Sequence, residues 1–262
     1  MLIVLKYGGN AMAPAFAADP LLDDVAARVR EGDRIVLLHG GGPQIDAEVA
    51  ARNIPQRRIG GLRVTDLATL AVTESVLCGT VNKALVRALL RRGVDAVGLS
   101  GQDGRLIVAR SATPVKGESL GFVGEIEQIH PLVLHRLLAA GMTPVVAPLA
   151  VSRDAATPLN VNADTAAGAI AGALGADAYV VVTNVERVRR VLADPESEIE
   201  RLGADEAARL LEGGAFDGGM RPKIASALDA LHRGARRAIV CGSGPAALTR
   251  ALSGSGTTIC SA

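Results

Sequence analysis

Aromatic side chains and unbalanced charge are both scarce in this chain of 262 residues. Phe, Tyr and Trp together make up 2% of it and Trp is absent, which argues against the stacking surfaces that bind single-stranded nucleic acid. The 28 Lys and Arg residues are balanced by 27 Asp and Glu residues, for a net charge of +1, so no overall field attracts a polyanion. We therefore expect no nucleic-acid partner.

Paired cysteines and long apolar runs are missing as well. Cys78, Cys241 and Cys260 are widely spaced and form no CxxC pair, which disfavours a zinc site or a disulfide framework. No uncharged apolar run approaches the roughly 18 residues of a membrane span, and the apolar residues at Met1–Leu5 are too few for the apolar part of a signal peptide. We expect a protein of the reducing cytoplasm with no membrane partner.

Short apolar runs alternate with longer amphipathic stretches along most of the chain. The runs are rich in Val, Ile and Leu, which is typical of strands buried on both faces. They are Met1–Leu5, Ile35–Leu38, Ala96–Leu99, Thr143–Ala147, Tyr179–Thr183 and Ala238–Cys241. The amphipathic stretches predict helices at Pro20–Glu31, Leu67–Arg92, Leu132–Ala140, Asp164–Leu174, Asp205–Leu211, Pro222–His232 and Pro245–Leu252. This alternation predicts an α/β fold, a three-layer αβα sandwich with a mainly parallel central sheet.

Two segments interrupt the alternation. Residues 101–128 contain short alternating pieces at Leu106–Ala109 and Phe122–Glu127, which predict a hairpin attached to the main sheet. Residues 186–203 are charged and loop-like, and we expect them to form the boundary of a second lobe.

Four glycine-rich turns adjoin the predicted strands and helices. They are Lys6–Asn10, His39–Pro43, Phe216–Met220 and Cys241–Pro245. Ligands of α/β sheets gather beyond the carboxyl ends of the strands, and glycine lets backbone N–H groups approach an anion closely, so the turns indicate a phosphate-rich ligand. The chain has no Walker A, no GxGxxG after a strand and no GxSxG pattern, which disfavours a P-loop NTPase, a standard dinucleotide-binding fold and a Ser-His-Asp hydrolase.

Seven motifs follow one another along essentially the whole chain. They are Lys6–Met12, His39–Ile45, Gly61–Asp66, Gly79–Lys83, Gly98–Gly104, Gly121–Glu125 and Asn160–Asp164. On these motifs the chain resembles the amino-acid kinase family and, within it, the branch that acts on N-acetyl-L-glutamate. The resemblance implies an amino-acid kinase-like fold and ATP-dependent phosphorylation of that substrate's side-chain carboxylate, giving an acyl phosphate in arginine biosynthesis.

The resemblance also implies how the chain is divided and what it uses. A substrate lobe is expected at 1–178 and a nucleotide lobe at 179–262, within a single continuous domain. Mg²⁺ would arrive with ATP, because no cluster of acidic residues suggests a metal cage made by the protein.

Three charged residues match the family's catalytic positions. Lys6 would stabilise the transferring phosphoryl group from the substrate side, Lys223 would contact the ATP phosphates, and Asp164 would hold both lysines. Each has a plainer local explanation, because lysines are mostly solvated and an Asp at the start of a helix is often its cap. The Gly-Gly after Lys6 and the Asn160–Asp164 motif favour function for those two residues, whereas Lys223 taken alone favours neither explanation.

The resemblance assigns four residues to the substrate. Arg63 would bind the α-carboxylate, since a planar guanidinium offers two parallel hydrogen bonds. Gly41 and Gly42 would direct backbone N–H groups at the substrate and the developing charge, and Asn160 would supply a binding amide. His39 is expected to be a satisfied residue beside its turn rather than a general base, because a carboxylate nucleophile is already ionised at neutral pH.

A further set of residues is expected against the nucleotide: Gly8, Gly9, Thr183, Asn184, Asp217, Gly218, Gly219 and Met220. The chain departs from the family in the turn Thr183–Val188, where Asn184 replaces the usual Asp and Arg187 stands where Gly is usual. A non-glycine residue is disfavoured at positive φ, so this turn is expected to differ or to carry strain. Arg187, Arg189 and Arg190 either contact phosphates or form a solvated basic loop, and we favour the loop.

The resemblance also bears on assembly. Arginine-inhibited relatives carry an extra N-terminal helix that links dimers into a hexamer, whereas this sequence starts at its first predicted strand, which leads us to expect a homodimer insensitive to arginine. The candidate dimer surface is the helix Leu67–Arg92; the alternative is that its apolar side faces only its own sheet. The apolar residues in question are Leu70, Ala71, Val81, Ala84 and Leu85.

Two other functions stay open. Kinases of carrier-protein-linked aminoadipate or glutamate share the His-Gly-Gly and Gly-Leu-Ser-Gly-x-Asp-Gly segments, but have a Ser-Arg-x-Thr-Asp type of segment in place of Gly61–Asp66. A non-catalytic sensor of acetylglutamate would keep the substrate pocket and lose ATP turnover. The altered turn Thr183–Val188 supports a sensor, whereas the retained Lys6, Asp164 and Lys223 speak against it.

Overall fold

The computed structural model describes residues 1–8, 12, 16–191, 193–216 and 218–260, which alternate strands and helices almost throughout. The strands are β1 (Leu2–Tyr7), β2 (Arg34–His39), β3 (Arg58–Ile59), β4 (Leu62–Arg63), β5 (Ala96–Ser100), β6 (Ile107–Ser111), β7 (Gly124–Ile129), β8 (Thr143–Ala147), β9 (Leu149–Val151), β10 (Pro158–Asn160), β11 (Ala178–Thr183), β12 (Val188–Arg189), β13 (Glu198–Ile199), β14 (Arg201–Gly203), β15 (Ala238–Gly242) and β16 (Thr257–Cys260). The α-helices are α1 (Pro20–Arg30), α2 (Gly42–Ala51), α3 (Leu67–Glu74), α4 (Asn82–Leu90), α5 (Leu132–Ala139), α6 (Ala163–Ala173), α7 (Ala204–Glu212), α8 (Met220–His232) and α9 (Ala247–Leu252).

Eight of the described strands form the central sheet, in the order β14-β16-β15-β11-β1-β2-β8-β5. Neighbouring strands from β15 to β5 all run parallel, and β16 runs antiparallel to β15. All six predicted strands belong to this sheet, and helices cover both of its faces. The predicted α/β fold, with three layers and a mainly parallel sheet, is confirmed.

Side chains that alternate along the central strands divide the core into two layers. In β1, Val4 faces the layer that contains α5, α6, α7 and α8, whereas Leu5 faces the layer that contains α1, α2, α3, α4 and α9. Because side-chain direction alternates along a strand, Lys6 projects from the same face as Val4. The strand therefore carries a lysine toward α6 and α8.

The predicted helices are present with ends shifted by two residues at most, and α2 was not predicted. A π-helical segment at Ser75–Val81 joins α3 to α4, so the predicted helix at Leu67–Arg92 runs unbroken as far as Leu90. Helix α9 begins at Ala247 rather than Pro245, because Ala246 has a left-handed backbone with φ of 53°. No described helix combines the length and apolar character needed to cross a membrane.

The apolar side of the α3–α4 helix mostly faces its own chain. Leu70, Val81 and Leu85 are at most 3% exposed and pack in the core. Ala71 is exposed and Ala84 is half-buried. Three of the five residues proposed for a dimer surface are therefore core residues of the single chain.

The predicted hairpin is present, but its attachment to the main sheet is wrong. Strands β6 and β7 pair antiparallel, yet they belong to a separate four-stranded sheet of order β10-β9-β6-β7. Strands β9 and β10 hold three residues each, too few for an apolar pattern to indicate them. This second sheet packs against α6 through residues that include Ala109 and Leu159.

The charged segment 186–203 holds more structure than a loop. Strands β12 and β13 pair antiparallel, and β14 joins the central sheet beside β16. One sheet therefore continues through both of the expected lobes.

Candidate active site

A cleft of about 550 Å³ opens at the carboxyl ends of β1, β2 and β11. These strands are parallel neighbours, so the turns that follow them meet at one edge of the sheet. Most of the predicted site residues line it: Lys6, Gly8, Gly41, Gly42, Arg63, Asn160, Asp164, Thr183, Asn184, Gly219, Met220 and Lys223. Gly218 is exposed and lies outside this lining, whereas Gly9 and Asp217 lie outside the described residues.

Two lysines flank one carboxylate in the cleft. Lys6 Nζ lies 2.8 Å from Asp164 Oδ1, and Lys223 Nζ lies 3.8 Å from Asp164 Oδ2. Lys6 and Asp164 are 5% and 6% exposed. Lys223 also donates a hydrogen bond to Gly219 O at 2.9 Å. Because a buried charge is stable only when it is paired, the carboxylate holds both ammonium groups at this place.

Three elements bring these charges together. Lys6 is near the end of β1, Asp164 is the second residue of α6, and Lys223 is in the first turn of α8. Helices α6 and α8 are in close contact, since a Cβ added at Gly168 of α6 would lie 2.4 Å from Ser226 O of α8. A glycine in α6 thus sets the separation of the two helices that carry Asp164 and Lys223.

The cap of α6 is Asn162 and not Asp164. Asn162 Oδ1 accepts hydrogen bonds from the N–H groups of Asp164 and Thr165, at 2.9 and 3.1 Å. The capping explanation for Asp164 is therefore wrong, and its carboxylate is available to the lysines. Asn162 stands two residues before Asp164, and its extended backbone with φ of −62° and ψ of 130° makes it the cap.

Burial shapes the chemistry of Lys223. Its partial desolvation lowers its pKa; the nearby Asp164 opposes this shift and Lys6 adds to it. Lysine is also a rare residue here, because four of the 28 basic residues are Lys and the other 24 are Arg. Arginine is therefore the ordinary surface cation of this chain, and two of the four lysines lie in the cleft. That bias is a signal in the sequence that the interpretation of Lys223 as a solvated residue did not use.

Gly8 and Gly41 stand where a side chain would lie very close to other residues. A Cβ at Gly8 would lie 3.3 Å from Lys6 Nζ, and a Cβ at Gly41 would lie 2.6 Å from Leu77 Cδ2. Gly42 is the first residue of α2 and has open space around its Cβ position. Since the first turn of a helix leaves N–H groups without intrahelical acceptors, this wall of the cleft can bind an anion.

Arg63 and Asn160 belong to one connected polar wall. The Arg63 guanidinium is 8% exposed, contacts Gln56 Oε1 and lies 2.6 Å from Asp46 Oδ1. Asn160 Nδ2 donates to Thr65 Oγ1 at 3.2 Å, and Thr65 Oγ1 donates to Arg63 O at 3.0 Å. Gln56 and Asp46 were missed, because nothing in their local sequence indicates a contact with Arg63.

The turn after β11 differs from the family pattern without strain at Arg187. The described residues with left-handed φ do not include Arg187, and residues 184–187 form a series of bends. Each of the three arginines of this loop pairs with a glutamate: Arg187 with Glu200 at 3.0 Å, Arg189 with Glu198 at 3.6 Å and Arg190 with Glu206 at 2.6 Å. Each arginine thus has a carboxylate partner, while Arg187 and Arg189 also line a small cavity beside the cleft. The solvated basic loop therefore stays a prediction.

A smaller cavity of about 300 Å³ adjoins the cleft on the side of β11 and α8. It shares Asn184, Val185 and Met220 with the cleft, and Phe216 forms part of its wall. In the described part of the chain, no three His, Cys, Asp or Glu side chains are grouped so that they could hold a metal ion.

His39 lies completely buried beside the glycine turn after β2. Its Nδ1–H donates to Gly40 O at 2.8 Å, and its Nε2 accepts from Asn82 Nδ2 at 3.2 Å, which assigns the neutral form. Burial lowers its pKa to about 4. Both ring nitrogens are occupied by protein partners, so His39 is a satisfied structural residue.

The three-layer sandwich and its charged, glycine-bordered cleft define the class of amino-acid kinase folds. The family model for the amino acid kinase family matches residues 1–242. This chain therefore belongs to the amino acid kinase family.

Individual proteins match over most of their length. The acetylglutamate kinase of Gluconobacter oxydans (strain 621H) is 44% identical over 247 residues, covering 91% of this chain and 82% of that protein. The acetylglutamate kinase of Methanopyrus kandleri is 43% identical over 240 residues, covering 90% and 93%. Among solved structures, smu.665 from Streptococcus mutans UA159 superposes with a TM-score of 0.81 at 26% identity, covering 100% of this chain and 99% of that one.

Proposed function

We propose that this protein transfers the γ-phosphoryl group of ATP to the side-chain carboxylate of N-acetyl-L-glutamate, forming N-acetyl-L-glutamyl 5-phosphate in arginine biosynthesis. The acetylglutamate kinases of G. oxydans and M. kandleri support this substrate, since each matches at least 90% of the chain. The observation that carries the proposal is the pair of lysines around the buried Asp164. Two anions must meet in this reaction, and the net positive charge of the cluster favours their approach.

The three charged residues take separate roles in this proposal. A carboxylate oxygen of the substrate attacks the γ-phosphorus, the bond from that phosphorus to the bridging oxygen breaks, and ADP leaves with the electron pair. Lys6 stabilises the transferring group from the substrate side and Lys223 from the ATP side, while Asp164 keeps both ammonium groups in position. The nucleophile is ionised at neutral pH, so no base is required and the buried, neutral His39 takes no part.

Substrate recognition is assigned to the polar wall and the turn after β2. Arg63 binds the α-carboxylate, Asn160 offers its amide, and Gly41 and Gly42 offer backbone N–H groups. Replacement of Arg63 by Lys is expected to raise KM for N-acetylglutamate about 10- to 100-fold while kcat changes much less. The exposed Arg57, changed to Lys, is the control, and an equal KM in both variants would contradict the assignment.

The nucleotide is assigned to the opposite side of the cleft, within a lobe at 179–262 that faces a substrate lobe at 1–178. The residues expected against the nucleotide are Gly8 and Gly9, which reach it from the substrate lobe, and Thr183, Asn184, Asp217, Gly218, Gly219 and Met220 of the nucleotide lobe. The adjoining cavity takes the base against its apolar Phe216 and Met220, and its wall also holds the charged Glu186, Arg187, Arg189 and Glu198. Mg²⁺ enters on the ATP phosphates and neutralises part of their charge. Both oxygens of Asp164 are near lysines, so this carboxylate is not offered to the metal.

We further propose a homodimer of the cytoplasm. The exposed Leu67 and Leu90 of the α3–α4 helix, 69% and 50% exposed, are apolar surface available to a second copy. The free thiols of Cys78, Cys241 and Cys260 fit a reducing compartment. Light scattering after gel filtration is expected to give the mass of two chains, and a monomer or hexamer would contradict this assembly.

The decisive experiment measures ADP release from MgATP with N-acetylglutamate, beside free glutamate, free 2-aminoadipate and a control without acceptor. We expect turnover only with the acetylated substrate. Calorimetric binding of N-acetylglutamate without turnover would instead indicate a sensor. Silence in both assays, followed by turnover with a carrier-linked aminoadipate or glutamate, would indicate the carrier-dependent branch.

A further inference from the structure

Two buried hydroxyl groups connect the backbones of Asp164 and Lys223. The Tyr179 hydroxyl oxygen lies 3.2 Å from Asp164 O and 3.1 Å from Ser226 Oγ. Ser226 Oγ in turn donates to Lys223 O at 2.9 Å. Tyr179 is completely buried and Ser226 is 3% exposed. With Ser226 donating to Lys223 O, the single hydrogen of the Tyr179 hydroxyl is shared between Asp164 O and Ser226 Oγ. A chain of polar contacts therefore runs from the carbonyl of one cleft residue to the carbonyl of the other.

The position of Tyr179 in β11 directs its side chain toward helices α6 and α8. Tyr179 is paired with Val4 of β1 and projects into the same core layer, below α6 and α8. Two residues further along the same two strands, Lys6 is paired with Val181. The hydroxyl of Tyr179 therefore lies behind the charged cluster, on the side away from the cleft opening.

The two lysines of the cluster lie at different distances from Asp164. Lys6 approaches Asp164 to 2.8 Å, but Lys223 stays 3.8 Å away and is the more exposed of the two lysines. Helices α6 and α8 touch at Gly168 and Ser226 and again at Gly172 and Ala230. The contact at Ser226 is the one nearer to Asp164 and Lys223 along both helices. Because Ser226 Oγ donates its single hydrogen to Lys223 O, it can only accept a hydrogen bond from the Tyr179 hydroxyl.

We propose that Tyr179, acting through Ser226, is a positioning residue that fixes Lys223 relative to Asp164 for phosphoryl transfer. The inference rests on the proposed kinase function. Neither side chain touches a substrate, and both act on the backbone of residues that do. The alternative is that Tyr179 only forms the hydrogen bonds that its buried hydroxyl needs. It would then contribute to the stability of the fold and not to catalysis.

A control hydroxyl lies on the other face of the sheet, away from the cleft. There the Thr249 hydroxyl of α9 donates to Asp24 Oδ1 of α1 at 2.6 Å. Tyr179→Phe is expected to lower kcat about 10-fold and to change KM for each substrate less than about twofold, because positioning acts on the transition state. Thr249→Val removes a hydrogen-bonded hydroxyl outside the cleft and is expected to keep kcat within about twofold. Equal kcat in the two variants would overturn the proposal.

A second readout does not depend on turnover. With lysine labelled by ¹³C at the ε-carbon, NMR titration follows four side chains, and Lys223 is distinguished by its loss in Lys223→Met. Tyr179→Phe is expected to lower the pKa of Lys223, because the attraction of Asp164 weakens as the two groups move apart. An unchanged titration would overturn the proposal. If the unaltered protein phosphorylates nothing, the proposed function fails, and this titration still tests the connection.

Ser226→Ala tests the same connection with a smaller change. If Tyr179→Phe does not fold, the kinetic constants and the Lys223 titration are both measured on Ser226→Ala. We expect it to lower kcat in the same selective way. The double variant is expected to lie within about twofold of the worse single variant, because both changes break one chain of contacts. Losses that multiply would show independent effects and would overturn the link through Ser226.

Discussion

The two halves of the cleft are built in different ways. In the substrate half, around the turn after β2, the backbone is packed so tightly that a Cβ at Gly41 would lie 2.6 Å from Leu77 Cδ2. A Cβ at Gly98, on β5 at the edge of the sheet beyond β8, would lie 2.0 Å from Asn82 Oδ1. In the nucleotide half, the loop after β11 is held by ion pairs such as Arg187 with Glu200 at 3.0 Å, on partly and largely exposed side chains.

This difference explains where the sequence follows the family pattern and where it departs. Overpacking a buried position costs about 1–3 kcal/mol, so Gly41, whose Cβ would meet the buried Leu77, is difficult to replace. An exposed ion pair contributes about 0–1 kcal/mol, so a loop held by such pairs accepts new residues. The motif around Gly41 is therefore retained in full, whereas Asn184 and Arg187 stand in the turn after β11 without positive φ at Arg187.

The largest expected effect compares one lysine from each half. Lys6→Met and Lys223→Met are each expected to lower kcat about 100- to 1,000-fold, because each removes a cation that neutralises charge in the transition state. Calorimetric binding of N-acetylglutamate should weaken far less than turnover, and KM for ATP should rise more in Lys223→Met than in Lys6→Met.

The exposed Lys116, changed to Met, is the control for this pair. Full turnover in either cleft variant would remove that lysine from the proposed mechanism. An equal rise of KM for ATP in both variants would break the division of the cleft into two halves.

The central sheet was predictable because each of its main strands is an apolar run with a glycine-rich or polar boundary. The same reasoning failed where structure depends on distant residues. Strands β9 and β10 are too short to have a pattern of their own, and the left-handed Ala246 has no local signal.

The candidate site shows the same limit. Lys6 was found by its motif, and its meeting with Asp164 follows from the alternation along β1. The roles of Asn162 as the cap and of Asp46 as a partner of Arg63 depend on backbone angles and tertiary contacts that no short segment contains.

The next effect concerns the contact between helices α6 and α8, which carry Asp164 and Lys223. Gly168→Ala is expected to lower the free energy of unfolding by about 2 kcal/mol, because its Cβ would lie 2.4 Å from Ser226 O and α6 must move away from α8. Turnover should fall with it, since Asp164 and Lys223 then separate. The control is Gly79→Ala in the π-helical segment, where nothing lies within 4 Å of the added Cβ. Chemical denaturation measures both variants, and equal stability would show that α6 and α8 adjust to one another freely.

The last effect, expected in stability alone, tests whether the rigidity of the substrate half depends on a neutral His39. Burial lowers the pKa of His39 from 6.5 to about 4. Between these pH values His39 is therefore protonated in the unfolded chain and neutral in the folded chain. Stability is therefore expected to fall by about 2 kcal/mol between near pH 7 and near pH 5, and to recover as the pH rises again. A protonated His39 would also be unable to accept the hydrogen bond from Asn82 Nδ2.

Urea unfolding of His39→Gln should show a smaller loss of stability on acidification, while His130→Gln, at an exposed position, should keep the full loss. The same loss in both variants would mean that the acid sensitivity of the protein arises outside the substrate half.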